Sequence, residues 1–119
     1  MNAKTVAEYL REHNNFLLVT HARPDGDSLG SAGALCSALR RAGKQAYLLK
    51  NEEATEKYLP YVGGYFAPVD FEYETVVSVD TADVTMFPGN FAGKVDLCID
   101  HHGSNSGYAE RTFVSPHTA

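Results

Sequence analysis

The hydrophobic pattern of this chain alternates between short continuous apolar runs and segments with helical periodicity. Residues 16–20 form a continuous apolar run, and residues 45–49, 75–79, 95–99 and 112–114 are mostly apolar and strand-like. A short continuous apolar run is typical of a strand covered on both faces, as in a parallel sheet. Because a helical segment separates the first two runs, we expect a β-α-β unit with a right-handed crossover. The pattern predicts an α/β fold: an open, mainly parallel sheet flanked by helices, in a Rossmann-like three-layer arrangement.

Two segments carry the helical pattern. Near the amino terminus, Thr5 and Glu8 fit a capping box that starts a short amphipathic helix, and His13 lies near its end. From Ser28 onward, apolar residues recur at intervals of three and four until Gly43 supplies a stop. Both segments are predicted to pack one apolar face against the sheet.

Polar residues with metal-binding chemistry follow the first predicted strand. His21, Asp25 and Asp27 lie in the loop before the helix, where a proline and a glycine favour a tight turn. One imidazole and two carboxylates form a donor set suited to Mn²⁺, Mg²⁺ or Fe. Gly30 and Ser31 are predicted at the helix start, where free N–H groups favour an anion such as phosphate. Taken alone, this turn is equally well explained as a solvated helix cap.

Two further strands end in the same kind of residue. Asp80 follows the run 75–79, and Asp100, His101 and His102 follow the run 95–99. The carboxyl ends of parallel strands share one edge of the sheet, where ligands bind. Three strands therefore deliver acids and imidazoles to one place, which favours a metal site over three solvated turns. Since successive side chains alternate in an extended segment, His101 and His102 are not expected to point the same way. If His101 binds a metal, His102 is expected to face a substrate phosphate or to pack underneath.

Composition and charge narrow the class of protein. With 119 residues, the chain has room for one domain. Its formal net charge of −5 argues against a broad basic face for duplex DNA, but cations at the predicted site would offset several acids, so a short phosphorylated substrate remains compatible. Cys36 and Cys98 show no zinc-site spacing and fit a reduced, cytoplasmic protein. No signal peptide and no apolar run of roughly 20 residues is present, so no membrane partner is expected.

Three ordered motifs resemble those of the DHH phosphoesterase family, which takes its name from a sequence like that at 100–102. The first, His-x-x-Pro-Asp-Gly-Asp-x-x-Gly-Ser, begins at His21; Val79 and Asp80 are similar to the second; Ile99 to His102, with Asn105, are similar to the third. The Asp-Gly-Asp form looks most like the branch of oligoribonucleases, phosphoadenosine-phosphate phosphatases and cyclic-dinucleotide-related phosphodiesterases. Manganese pyrophosphatases, whose first motif reads Pro-Asp-Thr-Asp, are the alternative within enzymes.

The resemblance implies a centre with two Mn²⁺ ions, for which Mg²⁺ is the alternative. One ion would be held by His21, Asp25 and Asp80, and the second by Asp27, the bridging Asp80 and His101. Two ions roughly 3.5–4 Å apart would activate a water and stabilise the attacking and leaving oxygens.

The resemblance also implies catalytic and substrate-binding roles. Asp100 would orient its neighbours without binding metal itself, and His102 would face the scissile phosphate. Substrate contacts would come from Gly30, Ser31, His102 and Asn105. The expected reaction is hydrolysis of phosphodiester or phosphomonoester bonds in short oligoribonucleotides or small nucleotides, in the cytoplasm.

The chain departs from the family's pattern at its carboxyl end. A fourth motif with another metal-binding Asp, and a second domain with a glycine-rich substrate-binding loop, are absent from residues 1–119. We therefore expect a partial DHH catalytic domain that, alone, binds metal weakly and turns over slowly. A non-catalytic metal- or nucleotide-binding module and a structural or partner-binding domain stay open as alternatives. The oligomeric state is also open, with a homodimer as one option.

Overall fold

The structure is a computed structural model and describes residues 3–20, 26–49, 63–68, 70–81, 87, 91, 93–100 and 105–114, with the backbone alone at 26–28. The described elements are α1 (Ala3–Glu12), β1 (Phe16–Val19), α2 (Gly26–Arg41), β2 (Ala46–Leu48), a 3₁₀ turn (Gly63–Tyr65), β3 (Thr75–Val79), β4 (Leu97–Asp100) and β5 (Arg111–Val114). Within these residues, no helix combines the length and apolar character that crossing a membrane requires.

The five described strands form one sheet in the order β2-β1-β3-β4-β5, and each neighbouring pair is parallel. The predicted α/β class with an open parallel sheet is therefore confirmed. The chain adds β2 on one side of β1 and then returns to add β3 on the other. The carboxyl ends of β1 and β3 thus form a topological switch point, the place where open α/β sheets bind ligands.

The core follows the two-residue alternation of side chains along each strand. Phe16 and Leu18 of β1 face the same side as Val77 of β3, and this side is packed against both helices. Leu17 and Val19 face the opposite side, where the described packing partners come from connecting segments. β1 is consequently buried along its whole length, as its continuous apolar run predicts.

Both helices begin earlier than the sequence pattern predicts. α1 begins at Ala3, so Thr5 lies inside the helix and the predicted capping box is wrong. Ala3 has the highest helix propensity of any residue type, which favours the extra residues at this end. α2 begins at Gly26 rather than Ser28, and Asp27 therefore falls in its first turn, where the helix dipole favours a carboxylate.

The helix carboxyl ends are as predicted. The ring of His13 stacks on Tyr9 with the centroids 4.0 Å apart, and its Nδ1 donates to the Tyr9 carbonyl oxygen at 2.6 Å. Gly43 follows α2 with a φ of 84°, and its amide donates to the carbonyl oxygen of Arg40 at 3.0 Å. This left-handed conformation suits glycine, which has no Cβ to clash with the carbonyl, and it ends the helix.

β4 lies later in the chain than the predicted run 95–99. The carboxylate of Asp96 accepts the amide N–H of Val76 at 2.8 Å, and its own amide donates to the Val76 carbonyl oxygen at 3.0 Å. The side chain of Asp96 thus accepts a hydrogen bond from an amide that would donate to a main-chain carbonyl oxygen in a regular ladder. The strand begins at the next residue and ends at Asp100, which lies within β4 rather than after it.

Arg40 connects β2 to the 3₁₀ turn that comes later in the chain. Its guanidinium lies 4.8 Å from the ring centroids of both Tyr47 and Tyr65, and its Nε donates to the Ala46 carbonyl oxygen at 2.9 Å. We expect Arg40→Ala to lower the free energy of unfolding, measured by urea denaturation, by about 1–2 kcal/mol. Arg41→Ala is the matched control, since Arg41 is exposed in the same last helical turn. Equal losses would mean that the helix dipole accounts for both arginines.

Candidate active site at the carboxyl edge of the sheet

The candidate site lies where β1, β3 and β4 end. β1 leads directly to residues 21–25, β3 ends one residue before Asp80, and β4 ends at Asp100. These three strands are neighbours and parallel, with Val19 paired to Ser78 and Val79 paired to Ile99. Their carboxyl ends therefore share one edge of the sheet, as the sequence predicts.

Asp80 has an unusual main-chain conformation. Its φ is 58°, in the left-handed region, and its amide donates to the carbonyl oxygen of Ile99 at 2.9 Å. This conformation is unfavourable by about 1–3 kcal/mol for a residue with a Cβ, although Asp and Asn tolerate it better than most. It turns the chain sharply at the end of β3, and the Oδ1 atom of Asp80 is buried there. Strain of this kind is characteristic of functional sites.

Asp100 is a buried carboxylate at the end of the neighbouring strand. Only 4% of the residue is exposed, and Nδ2 of Asn105 donates to its Oδ2 at 2.8 Å. A buried carboxylate is costly unless it receives hydrogen bonds or lies beside a cation. The strand ends thus place two acids, Asp80 and Asp100, on adjacent strands at the switch-point side of the sheet.

Several predicted site residues lie outside the described part of the chain. These are His21, Asp25, His101 and His102, together with the side chain of Asp27. Across the residues that the structure describes, no three His, Cys, Asp or Glu side chains are grouped closely enough to hold a metal ion. The predicted metal ligands therefore stay predictions, and Asp80 is the member of that set whose surroundings the structure describes.

Gly30 and Ser31 are the fifth and sixth residues of α2, one turn beyond the helix start. The amides with no partner inside a helix are those of its first four residues, so those of Gly30 and Ser31 lie past this free set. Both residues are exposed, and a Cβ built on Gly30 would meet no atom within 4 Å. Their proposed contact with substrate would consequently involve the open surface at Gly30 and the Ser31 hydroxyl rather than helix-end amides.

The donor chemistry at the strand ends fits a hard divalent cation. Asp80 supplies carboxylate oxygens, which Mn²⁺ and Mg²⁺ accept readily as ligands. Burial penalises a negatively charged oxygen such as Oδ1 of Asp80, and a cation bound there would offset that penalty. The described residues are therefore compatible with the metal chemistry predicted from the sequence.

Tyr108 lies near the ends of β3 and β4 and was not predicted from the sequence to be part of this edge. Its hydroxyl donates to the carbonyl oxygen of Thr81 at 2.7 Å and lies 2.7 Å from Oγ of Ser78 and 3.4 Å from Sγ of Cys98. Burial, followed by the hydrogen bond with Cys98, raises the pKa of the Tyr108 phenol well above its ordinary value, so the group remains a protonated donor. The available signal was Ser78, a polar residue inside the predicted strand 75–79 and two residues before Asp80.

A cleft of about 470 Å³ opens at the opposite edge of the sheet. Thr75 and Arg111, the first residues of β3 and β5, contribute to it, so it lies at the amino ends of the strands. It contains none of the predicted site residues. Its lining includes five acids: Glu8, Glu12, Glu74, Asp96 and Glu110.

The fold and the carboxyl edge of the sheet define an α/β protein with two carboxylates, Asp80 and Asp100, beside the switch point of a parallel sheet. The chain belongs to the DHH family: the model of the DHH family, N-terminal domain, matches residues 15–119. The resemblance identified from the three motifs is thus confirmed.

The chain is also similar to the bifunctional oligoribonuclease and PAP phosphatase NrnA of Thermus thermophilus. The two are 32% identical over 119 residues, an alignment that covers 98% of this chain and 37% of the relative. The chain therefore spans little more than a third of that protein's length.

Proposed function

We propose that this chain carries the catalytic domain of a Mn²⁺-dependent phosphoesterase. Its substrates are short oligoribonucleotides or small nucleotides, in which it hydrolyses phosphodiester or phosphomonoester bonds. The observation that carries the proposal is the placement of Asp80 and Asp100 at the ends of adjacent parallel strands beside the switch point, in a chain of the DHH family. The substrate class is supported by the relative, whose name joins an oligoribonuclease with a PAP phosphatase.

Two ions are proposed to bind at the sheet edge. His21, Asp25 and Asp80 would hold the first, and Asp27, Asp80 and His101 the second, with Mg²⁺ as the alternative to Mn²⁺. When bound, such ions supply Lewis acidity, which lowers the pKa of a water and offsets negative charge on the phosphate. Asp80 would be shared by both ions, and its left-handed conformation and buried Oδ1 are the features expected of a group held in one orientation.

The remaining residues are proposed to bind the substrate or to orient groups in the site. His102 would face the scissile phosphate, where an imidazolium can donate a hydrogen bond to an oxygen. Gly30 leaves room for a phosphate beside α2, and the Ser31 hydroxyl can donate to it. Asp100 is buried and would orient its neighbours. We also propose a cytoplasmic location, supported by two cysteines, Cys36 and Cys98, that are both free and buried.

Hydrolysis of three substrates by the full-length protein tests the substrate class. With Mn²⁺ present, we expect cleavage of the dinucleotide pApA and of phosphoadenosine phosphate, and loss of both activities in EDTA. Cleavage of pyrophosphate in place of these nucleotides would favour a pyrophosphatase-like hydrolase. Mn²⁺ uptake without hydrolysis of any of the three would favour a non-catalytic binding module.

Anomalous diffraction at the manganese edge tests the metal site independently of turnover. Crystals of this chain grown with Mn²⁺ near neutral pH keep most histidines uncharged and able to bind metal. At a Mn²⁺ concentration high enough to fill weak sites, we expect two peaks that share the Asp80 carboxylate. One peak held by His21, Asp25 and Asp80 would assign the second ion to a ligand outside this chain, and absence of any peak there would contradict the proposed site.

A further inference from the structure

We infer that Tyr108 and Asn105 are positioning residues for the candidate site, because together they tie the ends of β3 and β4 to one another. This inference rests on the proposed function, since it takes Asp80 and Asp100 as members of the site. Neither residue is proposed to contact metal or the reacting phosphate. Their effect is exerted through the strand ends that carry the two carboxylates.

The Tyr108 hydroxyl forms hydrogen bonds with residues on both sides of Asp80 in the chain. It donates its single hydrogen to the carbonyl oxygen of Thr81, the residue after Asp80, at 2.7 Å. With that hydrogen used, the 2.7 Å contact with Ser78 is one in which the serine hydroxyl donates to the tyrosine oxygen. Ser78 lies two residues before Asp80, so one phenol oxygen spans the left-handed turn and restrains the chain where Asp80 leaves β3.

The Asn105 side chain holds Asp100 and has its hydrogen-bonding groups engaged within the protein. Its Nδ2 donates to Oδ2 of Asp100 at 2.8 Å and to Sγ of Cys98 at 3.4 Å. Its Oδ1 accepts the amide N–H of Gly107 at 2.7 Å. An amide has two N–H donors, and both are used here. This arrangement suits a residue that orients Asp100 better than the substrate contact that the family resemblance implies for Asn105.

Cys98 joins the two halves of the network. Its Sγ lies 3.4 Å from both the Tyr108 hydroxyl oxygen and Nδ2 of Asn105. Ser78 and Cys98 are fully buried, on the sheet face opposite the two helices. Hydrogen bonds in such surroundings are costly to break, because the groups left behind have no water to replace their partner. The network therefore favours one relative placement of the strand ends.

Tyr108→Phe removes the hydroxyl and keeps the aromatic ring, so it tests the contribution of the hydroxyl. The ring lies edge-on to Phe87 with the centroids 5.5 Å apart, and phenylalanine keeps that packing. Tyr47→Phe is the matched control, because Tyr47 lies on β2 at the far side of the sheet and its ring packs on Arg40. Two measurements apply: Mn²⁺ affinity, from the electron paramagnetic resonance signal of the free ion, and amide hydrogen exchange at Asp80 without metal.

We expect Tyr108→Phe to weaken Mn²⁺ binding about 10-fold, a typical effect of removing a group that orients metal ligands. The Asp80 amide, which donates to Ile99, should exchange faster in the same variant. Tyr47→Phe should change neither quantity. Wild-type Mn²⁺ affinity together with wild-type exchange at Asp80 in Tyr108→Phe would overturn the inference, even if the variant melts at a lower temperature.

Asn105→Ala tests the other half of the network and serves if Tyr108→Phe does not fold. As a positioning residue, its loss should weaken Mn²⁺ binding about 10-fold and leave the KM for pApA unchanged at saturating Mn²⁺. A higher KM with unchanged Mn²⁺ affinity would overturn the positioning role in favour of substrate contact. Asn14→Ala is the control, because Asn14 accepts the Gln45 amide at the amino-terminal edge of the sheet.

The same measurements distinguish failure of the proposed function from failure of this inference. Wild-type protein that takes up no Mn²⁺ would overturn the metal site, whatever the variants do. If the wild-type protein binds no Mn²⁺, faster amide exchange at Asp80 in Tyr108→Phe would still show that Tyr108 restrains the strand ends. Unchanged exchange would overturn that restraint.

Discussion

Asp80→Asn is expected to weaken Mn²⁺ binding by at least roughly 100-fold while the chain remains folded. Asparagine keeps the shape of the side chain and tolerates the left-handed φ of 58° at this position, so the turn after β3 should survive. The substitution removes the negative charge of the group proposed to bridge both ions. Titration of free Mn²⁺ by electron paramagnetic resonance measures the affinity, and hydrolysis of pApA by the full-length protein should fall with it.

Asp70→Asn is the control for the loss of one carboxylate charge, because Asp70 is exposed in a turn outside the candidate site. It should bind Mn²⁺ like the wild-type protein. In the absence of metal, the unfolding free energy of Asp80→Asn should stay within about 1 kcal/mol of wild type, since surroundings that penalise a charge accept a neutral amide. Two Mn²⁺ ions bound to Asp80→Asn with wild-type affinity would contradict the bridging role.

Phe16→Ala is expected to lower the free energy of unfolding by about 3–5 kcal/mol. Phe16 is fully buried in β1, in the cluster that joins the sheet to α1 and α2. Alanine at this position loses the buried ring and leaves a cavity that neighbours from both helices fill only in part. Equilibrium denaturation in urea measures the change from the shift of the midpoint.

Tyr73→Ala is the matched control for removal of an aromatic ring, since Tyr73 is 47% exposed. Its loss should change the unfolding free energy by no more than about 0.5 kcal/mol. Similar losses for the two variants would mean that Phe16 is not part of a tightly packed core. Because small domains have only about 5–15 kcal/mol of stability in total, the Phe16 variant should also bind Mn²⁺ less tightly at temperatures near its midpoint.

The strands and their parallel arrangement followed from the sequence because buried strands need continuous apolar runs. β3 was predicted with its exact bounds, Thr75–Val79, and β1 to within one residue. The placement of Asp80 and Asp100 was also predictable, since residues at the carboxyl ends of neighbouring parallel strands lie at one edge of the sheet. The metal site at that edge stays a prediction. The three motifs identified the DHH family, which the family comparison confirms.

Element ends were less predictable, because they depend on partners far away in the chain. β4 is displaced because the Asp96 carboxylate bonds to Val76, 20 residues earlier, and no local periodicity reports such a bond. The start of α1 was misjudged for a related reason: Thr5 and Glu8 match a capping box by type and spacing, but a cap also requires that the helix begin there.

By itself, the sequence determined the sheet, its apolar faces and the residue types that reach its carboxyl edge, since all three follow from local patterns of polarity. Only the tertiary structure decided which hydrogen bonds connect the strand ends at that edge. Tyr108 lies 30 residues from Ser78 and 27 from Thr81 in sequence, and the hydrogen bond between Asn105 and Asp100 joins side chains five residues apart. A hydrogen bond between distant segments requires both groups to meet in space, and periodicity along the chain carries no information about that meeting.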